Sequence, residues 1–226
     1  MTGLLFAATI AAAVSGAPAT TAFTPVQPQS ILVVGKRIPP AMPTRPNIYG
    51  TMALASGVTP YDVRWRRVSA ADQADPRILA LASRLRGLDS LTMLSAVQSE
   101  IGRRVTWRRD LDEYRVADYW ANASETLSRG RGDAEDIAIA KIQVLKAAGF
   151  PASDLYISVG KDRSRGLDTL LFARANDRFY VLDDREARPM TPEEHARFEP
   201  VITLGHKSTW LHGRRHRSSS LARAVR

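Results

Sequence analysis

The sequence predicts an α+β domain, with helices first and then an antiparallel sheet packed on one central helix. Three observations carry that expectation. Residues 131 to 150, RGDAEDIAIAKIQVLKAAGF, read as a loop that turns into a helix apolar nearly all round, and a helix without a polar face belongs in a core. Upstream of it, apolar residues recur at helical spacing. Downstream, the period changes to short runs rich in β-formers, so helices and strands are segregated along the chain.

In chain order, Met1 to Ala22 read as an export signal. Leu4 to Val14 is a short apolar run, Ala17-Pro18-Ala19 offers small residues at the cleavage spacing, and Ala22 offers a second site. The run is too short to span a bilayer. Its amino end, Met-Thr-Gly, has only the terminal amine as positive charge. Residues 23 to 60 read as a proline-rich linker, with Ile31 to Val34 as one short strand or clip. A domain spans residues 61 to 212, and residues 213 to 226 form a basic tail.

Within the domain, Asp75 caps a helix to Leu85, with Pro76 in its first turn and Ile78, Leu81, Ala82 and Leu85 on one face. A second helix starts at Ser90, with Leu91, Leu94, Val97 and Ile101 as its apolar stripe. A third, short one covers Ser124 to Arg129. The central helix has Asp133 as its cap, Asp136 placed to reach back as a capping-box acid, and Gly149 to close it. Leu155 to Val159, Thr169 to Ala173 and Phe179 to Leu182 are strands. Asn176-Asp177 makes the last two a hairpin.

Composition narrows the chemistry. A chain of 226 residues with 44% hydrophobic content fills one core. The formal charge of +9 is concentrated in the last fourteen residues, which carry five arginines and no acid. No aromatic-basic reading face accompanies it, which argues against nucleic acid as partner. There is no cysteine, so disulfides, thiol catalysis and cysteine metal sites are excluded. The first turn of the central helix would sharpen a thiol into a nucleophile; it carries Ala134 instead.

Several segments match one pattern in order: Asp118-Tyr119-Trp120-Ala121, Glu125-Thr126-Leu127, Gly132-Asp133-Ala134-Glu135-Asp136 and Ala138-Ile139-Ala140-Lys141. Through them the chain, from about Trp65 to Leu211, resembles the bacterial transglutaminase-like cysteine peptidases, the LapG-like family. That resemblance implies a papain-like or transglutaminase-like core, in which a cysteine opening the central helix attacks an amide, a histidine takes its proton and an aspartate orients the imidazole. Carried over, the nucleophile position is Ala134, the base position is Asp168 in Gly166-Leu167-Asp168-Thr169, and the orienting acid is Asp183 in Val181-Leu182-Asp183-Asp184. The four histidines, His195, His206, His212 and His216, all follow Asp183. With nucleophile and base both substituted, the chain reads as a degenerate member and not as a protein inactivated at one residue.

The substitutions leave Asp133, Glu135, Asp136, Asp168 and Asp183 around one pocket, where like charges cannot all stay ionised unpaired. Protonation, neutralisation by Arg131, Arg165 or Arg185, and binding of a hard cation are all open. The resemblance favours calcium, with Asp133 and Glu135 at the positions of the acids that flank the family's cysteine. A proton-sharing pair of Asp168 and Asp183 is a further possibility. Trp107, Tyr114, Tyr119 and Trp120 read as core or cleft wall; the resemblance implies that they line the peptide groove, with Tyr119 and Trp120 the cleft residues singled out. His212 and His216, four apart in a basic tail, lack a third metal ligand. The functional expectation is an exported, periplasmic or secreted pseudoenzyme that holds a peptide or protein segment in the former cleft. The alternatives are a hydrolase of non-standard mechanism and a structural envelope protein.

Overall fold

The structure, a computed structural model, describes residues 44–69 and 74–214. The expected export signal, the run Ile31 to Val34 and the tail beyond Arg214 lie outside the described residues.

The order is strand β1 (Met52–Ser56), helices α1 (Asp62–Ser69), α2 (Pro76–Leu85) and α3 (Ser90–Gly102), strand β2 (Thr106–Trp107) and helices α4 (Asp110–Glu113) and α5 (Ala123–Arg129). Strand β3 (Arg131–Gly132), helix α6 (Ala134–Ala148) and strands β4 (Leu155–Asp162), β5 (Gly166–Ala175), β6 (Arg178–Leu182), β7 (Phe198–Leu204) and β8 (Thr209–Gly213) follow. Six strands form one antiparallel sheet in the order β1-β8-β7-β4-β5-β6. The short strands β2 and β3 pair in parallel beside it. The α+β arrangement is the expected one.

Twelve of the fifteen residues of α6 are buried, and Gly149 closes the helix at φ 102°. Each of three buried polar side chains on α6 bonds backbone of another segment. Lys141 Nζ donates to Leu182 O at 3.1 Å, Gln143 Oε1 accepts from Ala123 N at 2.9 Å, and Asp136 Oδ1 accepts from Ala121 N at 2.6 Å. These bonds give partners to groups that burial would otherwise leave stranded, although Asp136 Oδ2 stays buried without one. The last also corrects the capping box expected here: Asp133 does cap the helix, but the Asp136 carboxylate faces Ala121 instead of reaching back. The full capping box is on α5, between Asn122 and Glu125.

Two cores lie on the two faces of the sheet. The larger, with Ile137, Leu145, Ile157 and Leu171, joins the sheet to α6 and the other helices. The smaller, with Tyr156, Leu170, Phe172, Phe198 and Trp210, is closed by Ile48 and Ala53. Here the linker reading fails, because residues 52 to 56 pair with β8 (Ala53 opposite His212, Leu54 opposite Leu211) and complete the sheet edge. The sequence MALAS has little strand propensity of its own; pairing with a distant strand creates β1. Strand β8 likewise carries the ordered domain one residue past the expected end at 212.

Candidate functional site

A cleft of about 520 Å³ opens between the amino end of α6, the β2 segment and the start of β5. Ala134, Glu135, Trp120, Trp107, Leu167 and Asp168 are among its lining residues. Trp120 packs on Tyr61 with ring centres 5.6 Å apart and is only 2% exposed, whereas Leu167 at the rim is 71% exposed. Tyr119, expected beside Trp120, turns away: its hydroxyl donates to Glu125 Oε1 at 2.9 Å and its ring meets Tyr114. Of the four aromatics expected there, Trp107 and Trp120 line the cleft and Tyr114 and Tyr119 do not, while Tyr61 adds a wall that was not expected.

Of the three positions expected to carry catalysis, Ala134 and Asp168 meet in this cleft, and Asp183 lies behind it, fully buried. Asp168 shares its side of β5 with Leu170 and Phe172, which belong to the smaller core. Its side chain is 2% exposed. Oδ1 accepts from Thr169 N at 3.0 Å and Oδ2 from Arg185 Nη2 at 3.0 Å. Burial raises the Asp168 carboxyl to about 6, against the lowering effect of Thr169 N, Arg165 and Arg185.

Arg185 is the hub. Its Nη2 also meets Asp162 Oδ2 at 2.9 Å and Asp183 Oδ2 at 2.7 Å. A guanidinium bridging Asp168 and Asp183 removes the need for a shared proton, so the aspartic pair considered from sequence is not formed. Arg197 Nη2 adds a contact to Asp183 at 2.7 Å, and Arg165 forks onto Asp184 at 2.9 and 3.0 Å. Burial alone would raise Asp183; bonds from His195, Arg185 and Arg197 outweigh it and hold the carboxyl well below the usual range.

A histidine does pair with Asp183, although none precedes it in the chain. His195 Nε2 lies 2.8 Å from Asp183 Oδ2, and its Nδ1 lies 2.8 Å from the Tyr49 hydroxyl. Both ring nitrogens are occupied and the side chain is enclosed, so this imidazole serves structure. His212, read as part of the tail, sits in β8 between Thr51 Oγ1 at 2.7 Å and Thr203 Oγ1 at 2.8 Å, and burial lowers it to about 4. Neither role is visible in sequence spacing, because each depends on strands brought together from far along the chain.

Of the five acids expected around one pocket, Asp133, Glu135 and Asp168 line the cleft, while Asp136 and Asp183 are buried; by their partners the acids divide in two. Asp162, Asp168, Asp183 and Asp184 are held by Arg165, Arg185 and Arg197. Arg131 joins neither group and pairs with Glu113 at 3.0 Å. The second group is Asp133, Glu135 and Asp136 at the tip of α6, joined by Asp110, which no spacing in the sequence links to them. Among the described residues no arginine or lysine pairs with these four. Burial raises Asp133 to about 10, Asp136 to about 8 and Glu135 to about 7, and neighbouring carboxylates add to it in all three.

Oxygens of Asp110, Asp133 and Glu135 lie within 4.8 Å of one another. Asp110 Oδ1 is buried without a hydrogen-bond partner. All-oxygen ligands, converging anions and an orphaned carboxylate oxygen fit a hard divalent cation such as calcium. Gly132 makes room for this tip, since a Cβ there would stand 2.6 Å from Asp136 Cβ and 2.9 Å from Oδ2.

The sequence model for bacterial transglutaminase-like cysteine proteinases matches residues 71–200. The chain belongs to that family. Among solved structures, calcium-bound LapG of Legionella pneumophila is similar at 22% identity and TM-score 0.54, covering 71% of this chain and 93% of its own. EGTA-treated LapG of the same organism is similar at 21% identity and TM-score 0.54, covering 74% and 95%. Among curated proteins no relative matches the chain. The transglutaminase-like cysteine proteinase fold is therefore present, with Ala134 opening its central helix and no cysteine anywhere. Among the described residues no helix is long and apolar enough to cross a membrane.

Proposed function

We propose that this protein is a non-catalytic member of its family that grips a polypeptide segment in the cleft without cutting it. The observation that carries the reading is the refilled pair: a methyl group at Ala134 and, at Asp168, an enclosed carboxylate tied to Arg185. An alanine side chain cannot form an acyl-enzyme. The Asp168 carboxylate is already engaged on both oxygens, by the Thr169 amide and the Arg185 guanidinium, so it is not free to take the proton of an attacking group. The cleft itself stays open, with exposed apolar surface at Leu167 suited to a peptide chain.

The same reading has calcium held beside the cleft by Asp110, Asp133 and Glu135. Bound there, calcium supplies charge neutralisation at the helix tip. The family's LapG has been solved with calcium and after EGTA treatment, which agrees with such a site in relatives. The reading also expects export through Met1 to Ala22, to the periplasm or beyond the cell.

The test is a peptide-display selection on the full-length protein with calcium present, repeated with Leu167→Ser. Leu167 is exposed, so this variant keeps its fold. Selected peptides should bind the variant several-fold more weakly and be recovered intact. Selection of no peptide, or of peptides indifferent to Leu167, would contradict the proposal.

A further inference from the structure

Every basic residue between positions 44 and 140 is an arginine, and six of them gather in threes around two glutamates. Arg84, Arg103 and Arg104 surround Glu100, with Arg104 Nη1 at 2.7 Å. Arg108, Arg129 and Arg131 surround Glu113 at 3.5, 3.4 and 3.0 Å. The two carboxylates are enclosed, while the arginine side chains stay 36% to 62% exposed. The groups adjoin through backbone: Thr106 N donates to Gly130 O at 2.9 Å, and Arg104 O lies 3.3 Å from where a Cβ on Gly130 would stand. One continuous surface therefore carries six guanidiniums against two carboxylates.

A carboxylate accepts about four hydrogen bonds, whereas three guanidiniums offer far more donors, so outward N–H groups remain. Their stems are already fixed by the glutamates beneath, which lowers the entropy lost on meeting a second anion. We propose that this surface docks an acidic polypeptide segment. The guanidinium fork fits a carboxylate in two parallel bonds, and both glutamates show arginines gathered on carboxylates at this very surface. A nucleic-acid strand would need free aromatic faces for its bases; the nearby rings of Trp107 and Tyr114 are already covered by Arg165 and Arg129. The surface borders the cleft, because Trp107 and Arg109, either side of Arg108, both line it. The proposal rests on the cleft reading only for that continuity: a chain leaving the cleft past Trp107 would run onto the arginines.

The experiment is fluorescence anisotropy on the full-length protein with a labelled glutamate homopeptide and a glutamine homopeptide of equal length. Phosphatidylglycerol vesicles and a single-stranded oligonucleotide serve as competitors. The test variant is R84Q/R103Q, which leaves Arg104 on Glu100 and so keeps that carboxylate paired; R129Q is a second, independent variant. R163Q, whose arginine lies outside the surface, is the control. The glutamate peptide should bind about tenfold more tightly than the glutamine peptide, R84Q/R103Q should lose about that factor with a shallower salt dependence, and R163Q should match the parent. Equal binding of the two peptides, equal losses in R163Q and R84Q/R103Q, or tighter retention of vesicles or oligonucleotide would overturn the proposal. The homopeptide is read without any cleft ligand, so failure here and failure of the Leu167→Ser test are separate results.

Discussion

At the scale of single residues, the decisive contrast is between two groups of carboxylates that lie in and beside the same cleft. Asp168 and Asp183 are neutralised by arginine, and Asp110, Asp133, Glu135 and Asp136 are not. That contrast predicts the behaviour of a restored thiol. Ala134→Cys should not yield a reactive nucleophile in calcium-free buffer, because the neighbouring carboxylates oppose a thiolate more strongly than the helix dipole favours one. Its alkylation by iodoacetamide should have a midpoint above about 8.5, the ordinary thiol value. A midpoint well below that would mean the tip of α6 still activates sulfur. The roles at this scale were only half legible in the sequence. Ala134 could be placed from the block Gly132 to Asp136, which is local. Asp110, Tyr49 and His195 could not, because their partners are fixed by tertiary contacts that no spacing rule records.

At the scale of elements, local chemistry was a good guide wherever the chain folds on itself. Asp75 with Pro76, Asp133 and Gly149 mark helix ends by their own bonds and dihedrals, and Asn176-Asp177 turns the hairpin with both residues at positive φ. The strands without a local signal form by pairing with distant partners: β1, β7 and β8 in the large sheet, and β2 with β3 beside the cleft. Strand β7 even contains Pro200, tolerated where the β4 register shifts between Val159 and Gly160. Gly132 belongs to this scale too, because strand β3 must pass against the Asp136 side chain. Gly132→Ala should cost about 1–3 kcal/mol through overpacking. Urea unfolding would read this as a lower midpoint at unchanged slope; a variant as stable as the parent would mean that the contact relaxes freely.

At the scale of the whole molecule, the carboxylate groups set opposite pH dependences. Asp162 and Asp183 are held below their ordinary range, Asp162 by Arg185 and Ser164 against the opposing effect of burial. Their contribution is present above about pH 4 and is lost as pH falls below it. Asp133, Glu135 and Asp136 are raised to about 10, 7 and 8, chiefly by burial. Their contribution is full below their unfolded values near 4 and is lost as pH rises through 7 and beyond. Without calcium, the melting temperature should fall between about pH 5 and pH 8; with millimolar calcium the fall should disappear, and Asp110→Asn should restore it. An identical pH profile with and without calcium would remove the cation site from the account.

The central claim is that a cysteine-proteinase fold has been kept while its chemistry has been exchanged for binding. The most direct measurement is mass spectrometry of a selected cleft peptide after prolonged incubation with stoichiometric full-length protein and calcium. The account predicts a peptide of unchanged mass and a protein without an acyl adduct. Fragments with new amino termini, formed by the parent and abolished by Asp168→Asn, would contradict it.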